Sequence, residues 1–220
     1  MLRLENVSYS YSKGNRKVLN NINVYFKRGY LSSIVGPSGS GKTTLLSIMA
    51  GLDRPDSGTV FIGNANLADL NLDFYRRERI SVIFQAFHLF PLLTALENVC
   101  YPMEQNGIKP HVAQIRAAKL LNSVGIDTEK HKRYPSNLSG GEQQRVAIAR
   151  ALSTGAKVIL ADEPTGNLDE ANGDAIVEIL QKLAHEQNYC VIVVTHNPEI
   201  AEVSDEIYRM TEGKLLPVDK

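Results

Sequence analysis

The apolar residues of this chain fall into two periods. Residues 2–9 and 18–26 alternate apolar and polar side chains, as half-buried strands do. Lys13-Gly14-Asn15 between them reads as a turn. Residues 31–35 form a short buried strand that runs into a glycine-rich loop, and a helix is expected over 42–50, ended by Gly51. Residues 59–62 and 80–84 are further strand patterns. The middle then changes character. Residues 92–103, 110–124 and 141–153 read as helices, with Pro110 suited to a first turn and Gly125 to a stop. Val158-Ile159-Leu160-Ala161 and Val191-Ile192-Val193-Val194 are continuous apolar runs, the mark of central parallel strands covered on both faces. Between them, 170–187 is a helix with Ala175, Ile176, Ile179, Leu180 and Leu183 as its apolar positions. The pattern predicts a parallel α/β core with an inserted helical block over roughly 86–156.

At 220 residues the chain is long enough for one sizeable core. Lys plus Arg and Asp plus Glu number 24 each, and this zero balance argues against a strongly basic nucleic-acid footprint. Cys100 and Cys190 lie in apolar stretches without a Cys-x-x-Cys pair, so both are expected to be buried thiols in a reducing compartment. The first six residues carry no apolar segment of a secretory signal. No apolar run approaches the ~20 residues that span a bilayer. The longest candidate, 84–99, is broken by His88, Pro91, Thr94, Glu97 and Asn98. A membrane role would therefore need a separate spanning polypeptide.

Gly36-Pro37-Ser38-Gly39-Ser40-Gly41-Lys42-Thr43 matches Gly-x-x-x-x-Gly-Lys-Ser/Thr in full, after a strand and before a helix. Its glycines let several N–H groups point inward at phosphate oxygens, together with the helix N-terminus. Lys42 is expected between β- and γ-phosphates, the Thr43 hydroxyl on Mg²⁺, and Thr44 near an α-phosphate oxygen. By itself the motif says nucleoside triphosphate, a property shared by kinases, GTPases and motors. Downstream, the strand 158–161 ends in Asp162-Glu163-Pro164. Asp162 is placed to hold Mg²⁺ through a water, and Glu163 to polarise an attacking water as general base. Gln85, at its own strand end, is a further candidate ligand to Mg²⁺ or water.

Leu138-Ser139-Gly140-Gly141-Glu142-Gln143-Gln144-Arg145 opens a helix, with Ser139 and Glu142 spaced as a capping box. Two glycines at a helix start also leave bare N–H groups at the positive dipole end, an anion-binding surface. Following a phosphate loop, this resembles the signature of ABC ATPases. The other elements of that family stand in order. Tyr11 resembles the aromatic that stacks on adenine, Gln85 the Q-loop glutamine, and Asp162-Glu163 the Walker B pair. Gly166-Asn167-Leu168-Asp169 resembles the D-loop and His196 the switch histidine that contacts the γ-phosphate. The resemblance runs from residue 2 to about 216 and is nearest the LolD/MacB type in the phosphate loop, in 90–99 and in 161–169. Glu142 replaces the commoner Gln, and Asn197 follows the histidine where Asp is frequent.

The resemblance implies a P-loop NTPase fold with an N-terminal antiparallel β subdomain. It divides one ABC ATPase domain into a nucleotide-binding core, 1–85 and 157–220, and a helical subdomain, 86–156. It implies ATP hydrolysis with Mg²⁺ held by Thr43, Gln85 and Asp162. ATP would lie between Tyr11 and Gly36–Thr44 of one copy and Ser139, Gly140, Gly141 and Glu142 of a second. Catalysis would fall to Glu163, His196 and Gln85. The partners implied are a second copy and a membrane permease at the cytoplasmic face, with no nucleic acid. The alternative is a soluble ABC ATPase of DNA repair or translation without a permease, although the repair type normally carries a long coiled-coil insertion and the translation type two cassettes; a nucleotide kinase shares the phosphate loop but has no such signature. Phe87, Leu89, Phe90 and Leu92 are either packing or the floor of a permease groove. Tyr9 competes with Tyr11, since in a period-2 strand both face one way. His88, His111, His131 and His185 are expected at the surface.

Overall fold

The computed structural model describes residues 1–11 and 16–218; the expected Lys13-Gly14-Asn15 turn lies outside them. β1 (Leu2–Tyr11) pairs antiparallel with β2 (Arg16–Phe26) and with β4 (Ser57–Ile62), which carries the two-residue β5 (Ala65–Asn66). This sheet packs on a second one of six strands. There β3 (Leu31–Val35), β6 (Ile80–Phe84), β7 (Val158–Asp162) and β8 (Cys190–Val194) run parallel, and β9 (Glu206–Thr211) and β10 (Lys214–Val218) extend the edge in the order β10-β9-β3-β8-β7-β6.

The parallel strands read as unbroken apolar runs because both faces are covered. Ile159, Ala161, Val191 and Val193 face a core shared with α3 (Ala95–Gln105), α4 (Pro110–Ser123), α5 (Gly140–Ser153) and α6 (Glu170–His185). Their neighbours Leu160, Ile192 and Val194 face a second core with α1 (Lys42–Met49) and the antiparallel sheet. The switch at every residue is the period-2 rule of a strand. All are buried, and each valine, leucine or isoleucine among them is worth roughly 1.5–3 kcal/mol on transfer from water.

The expected elements are present, with shifted ends. The helix expected from residue 92 begins only at Ala95, because Thr94 is an N-cap whose capping box with Glu97 starts α3 there. Among the elements longer than three residues, four had no expectation: α2 (Leu72–Glu78), α7 (Pro198–Val203), β9 and β10. Asn71 caps α2 and Asn197 caps α7, each accepting from a backbone N–H of its helix. So Asn197, the departure from the family pattern, starts a helix. Cys100 and Cys190 are free and buried, and burial pushes both thiols up to about 11. His131 contradicts the surface expectation. It is buried at 4 % exposure, with Nε2 3.0 Å from the Ile126 carbonyl, because the turn around it packs against α3.

Candidate nucleotide site

Sheet register assembles the site. Phe84 pairs with Asp162, Asp162 with Val194, and Val194 with Ile34. Four parallel strands therefore end together, and the residues after them emerge side by side: Gly36, Gln85, Glu163 and His196. This carboxyl edge is where open α/β sheets bind ligands. A cavity of about 900 Å³ opens there, lined by Tyr11, the phosphate loop, Gln85, Asp162, Glu163 and His196.

The loop needs its glycines. Gly36 has φ 157° and an ideal Cβ on it would collide with the Met210 carbonyl. Gly41 has φ 108°, caps α1, and a Cβ there would lie 2.9 Å from the Val18 carbonyl. Lys42 Nζ donates to the Gly36 and Pro37 carbonyls at 2.8 and 3.0 Å. Its cation thus rests on neutral acceptors of the loop itself, an arrangement completed by an anion. Ser40 Oγ is buried in the same loop without a partner. Gly36, Ser38, Gly39, Ser40, Gly41, Lys42, Thr43 and Thr44 all line the cavity; Pro37 contributes its carbonyl to Lys42.

Tyr9 and Tyr11 prove distinguishable. The register of β1 slips between Tyr9 and Ser10, which breaks the simple alternation. Tyr9 packs on the core, while Tyr11 stands at the cavity, its hydroxyl 2.9 Å from Thr44 Oγ1. The two rings meet edge to face at 5.2 Å.

Asp162 is half-buried, and its carboxyl is held above the ordinary range by burial first and by the Glu163 charge second; Lys42 and a Thr43 hydrogen bond oppose this. A cation would relieve both raising causes. The oxygen donors Thr43, Asp162 and Gln85 are hard and few, which suits an Mg²⁺ that keeps waters and phosphate ligands. Glu163 follows with φ 47°, a left-handed conformation that costs a non-glycine residue about 1–3 kcal/mol. Its N–H donates to the Val194 carbonyl at 2.9 Å, which holds the turn. Its carboxylate accepts from Thr195 Oγ1 at 3.2 Å and the His196 N–H at 3.3 Å, and lies 2.9 Å from His196 Nδ1.

The start of α5 lies elsewhere. The Ser139 hydroxyl accepts from the Glu142 N–H, and Glu142 accepts from the Ser139 N–H at 2.8 Å, the expected capping box. Lys130 lies 2.8 Å from the other Glu142 oxygen. The Glu142 carboxylate is thereby consumed in capping, so what the start of α5 exposes is Ser139 and part of Gly140, while Gly141 is buried behind them. None of Ser139, Gly140, Gly141 and Glu142 lines the cavity of this chain. Gly141 has a packing reason as well, since a Cβ there would collide with Asn172.

Three polar side chains position the loops through contacts that the sequence did not show, Asn167 having been named there only as part of the D-loop. Asn98 is fully buried on α3 and hydrogen-bonds the backbone of Phe90, Leu93 and Thr94, folding that loop. Arg150 on α5 donates to the carbonyls of Phe87 and His88, at 3.0 and 2.6 Å, two residues with positive φ just after Gln85. Asn167 exchanges hydrogen bonds with Gln85. Asn98 has a local signal, four residues after the α3 cap. The other two reach across more than sixty positions, which no spacing announces.

A second cavity, of about 490 Å³, is lined by Leu52, Val82, Phe84, Phe90, Tyr101 and Pro102, with Arg76, Arg77 and Arg150 beside them. Of the four apolar residues proposed for a groove, only Phe90 lines it. Leu89 packs into the core, Phe87 reaches toward Gly140, and Leu92 is 86 % exposed outside the cavity. No helix among the described residues is long and apolar enough to cross a membrane.

A phosphate loop at the carboxyl edge of a parallel sheet, with an Asp-Glu strand end and a histidine on its neighbour, defines a P-loop nucleoside triphosphatase. The family model described as "ABC transporter" matches residues 19–166. The lipoprotein-releasing system ATP-binding protein LolD 2 of Rhodopirellula baltica is 42 % identical over 94 % of this chain and 85 % of its own. The macrolide export ATP-binding/permease protein MacB of Bartonella henselae is 43 % identical over 98 % of this chain, but that covers 33 % of MacB. The dimeric post-hydrolysis structure of the ATP-binding cassette MJ0796 of Methanocaldococcus jannaschii, bound to ADP and Pi, superposes with TM-score 0.88 at 40 % identity, over 98 % of this chain and 96 % of that one. The chain belongs to the ATP-binding proteins of ABC transporters, in the LolD/MacB-like branch, and is an ATPase.

Proposed function

We propose that this chain is one half of an ATP-closed pair that drives a separate membrane permease, in export or in force transmission without cargo. The carrying observation is the absence of Ser139, Gly140 and Gly141 from the cavity that holds Lys42 and Glu163. A capped helix start with Ser139 exposed at its positive dipole end suits an anion. Two copies related by a two-fold axis satisfy both needs at once, each giving Ser139–Gly141 to the other's γ-phosphate. The dimeric state of the MJ0796 cassette supports this reading.

In such a site the loop N–H groups and Lys42 bind the phosphates, and Tyr11 carries the adenine. Thr43, Asp162 and Gln85 are the residues that would hold Mg²⁺. Bound there, the metal would neutralise charge on the β- and γ-phosphate oxygens. Glu163 takes the proton of the attacking water. His196 has Nδ1 on Glu163, which leaves Nε2 for the γ-phosphate. Loss of the γ-phosphate removes the contact to the second copy, so hydrolysis reopens the pair, a shift of a two-state equilibrium by differential affinity.

The second cavity is the proposed permease contact. Its apolar lining, with Arg76 and Arg77 beside it, fits an amphipathic cytoplasmic helix with acidic residues. Association with the cytoplasmic face of a membrane would follow from that contact. The names of the LolD and MacB relatives favour release or export over import.

The deciding experiment is light scattering on the Glu163→Gln variant with and without Mg-ATP. A nucleotide-dependent dimer is expected, with turnover lowered at least about a hundredfold. A strictly monomeric, ATP-loaded variant, or one with full turnover, would sink the reading.

A further inference from the structure

Gln85 and Asn167 lie 82 positions apart and form a closed pair of hydrogen bonds. Gln85 Nε2 donates to Asn167 Oδ1 at 3.1 Å, and Asn167 Nδ2 donates back to the Gln85 backbone carbonyl at 3.0 Å. The amide orientations follow from this reciprocity. Turning Asn167 over would set its nitrogen against Nε2 and its oxygen against the Gln85 carbonyl, two repulsive contacts in place of two bonds. Turning Gln85 over would set two oxygens face to face.

The consequence falls on the cavity, which Gln85 lines. A primary amide offers one end that donates and one that accepts. With the nitrogen engaged by Asn167, the oxygen is the end left to the nucleotide site, and only the oxygen can serve a cation or accept from a water. The fit is close on a second side too. An ideal Cβ on Gly166 would lie 2.9 Å from Gln85 Nε2 and 3.2 Å from its Cδ. The glutamine side chain is therefore laid against a bare backbone and held by the next residue.

We infer that Asn167 is a positioning residue for Gln85: it fixes the side-chain amide so that the oxygen faces the metal and attacking water, and Gly166 supplies the space. This rests on the reading of Gln85 as a ligand proposed above. Without Asn167 the amide would be free to present its N–H₂, a donor, where a cation requires an acceptor. The loss would then appear in metal affinity, with nucleotide affinity in the absence of metal unchanged.

The test uses the full chain with a non-hydrolysable ATP analogue and Mn²⁺ as a paramagnetic probe, titrated by electron paramagnetic resonance. Asn167→Ala is expected to weaken Mn²⁺ binding by about tenfold, the usual scale for a group that orients a metal ligand. Metal-free affinity for a fluorescent ATP analogue should stay within about twofold, since the hydrogen bonds of the Asn167 side chain go to Gln85 and not to the phosphate loop. Gly166→Ala, which displaces Gln85 while keeping Asn167, should reproduce the effect; it also serves if Asn167→Ala folds poorly. In a Gln85→Ala background, Asn167→Ala should add nothing, because its effect passes through the amide it holds.

Full additivity of the two substitutions, unchanged Mn²⁺ affinity in Asn167→Ala, or an equal fall in metal-free nucleotide binding would each overturn the inference and leave the role of Gln85 intact. Unchanged Mn²⁺ affinity in Gln85→Ala would remove both the ligand reading and the inference.

Discussion

Glu163 Oε1 and His196 Nδ1 lie 2.9 Å apart across the ends of two adjacent parallel strands. The carboxylate side chain is 18 % exposed and the imidazole 74 %. The pair thus joins a shielded group, fixed by the Thr195 hydroxyl and the His196 N–H, to one that is open to solvent. Glu163 is over-determined by its neighbours, which is what a residue with φ 47° requires.

From this relationship we expect His196→Ala to lower kcat by about a hundredfold, the lower range for a proton-transfer partner, with little change in KM for ATP. Loss of the imidazole removes one γ-phosphate contact but leaves Glu163 its bonds to Thr195 and the backbone and leaves the phosphate loop and Lys42 in place, so most ground-state binding survives. Steady-state ATPase kinetics check this; a rise in KM at constant kcat would assign His196 to substrate binding alone.

Lys42 rests on two loop carbonyls, which a phosphate would replace as its partner. Lys42→Ala should weaken ATP binding by about ten- to a hundredfold, as expected for a charge-assisted hydrogen bond worth ~1.5–3 kcal/mol. Titration with a fluorescent ATP analogue reads the change directly. Wild-type affinity in the variant would remove the loop from nucleotide binding.

The cap of α5 carries a pH dependence. Glu142 is held below its ordinary value of 4.5, first by Lys130 and also by the Ser139 N–H, against the raising effect of burial. In the unfolded chain it returns to that value, so the unfolded state binds more protons in between and stability rises with pH there. The contribution is complete above about 4.5 and is lost as pH falls through the lowered folded value. Lys130→Met removes the largest cause. Urea unfolding from neutrality into acid should show a shallower loss of stability in the variant, by no more than about 1 kcal/mol. Identical acid limbs for the two proteins would leave the Lys130–Glu142 pair without a stabilising role.

What was legible in the chain itself is what depends on neighbours in sequence. The phosphate loop is a contiguous run of glycines, a lysine and a threonine, and its conformation follows from eight adjacent residues. The Asp162-Glu163 pair closes an apolar run, and the Ser139–Glu142 box is a spacing of three. The central strands announced themselves because burial on both faces demands unbroken apolar side chains.

The edge elements gave no such signal. β10 mixes Lys214, Pro217 and partly exposed leucines, and its strand character comes from pairing with β9. α2 and α7 are short helices that depend on Asn71 and Asn197 as caps. His131 reads as polar, yet it is buried because a turn folds onto α3. Only the assembled sheet decided that Gly36, Gln85, Glu163 and His196 meet, since strand register, set by pairing across long stretches of chain, places their four ends at one edge. The same holds for Arg150 on the carbonyls of Phe87 and His88 and for Asn167 on Gln85. A hydrogen bond between distant residues leaves no periodicity behind it, so it exists as information only once the chain has folded.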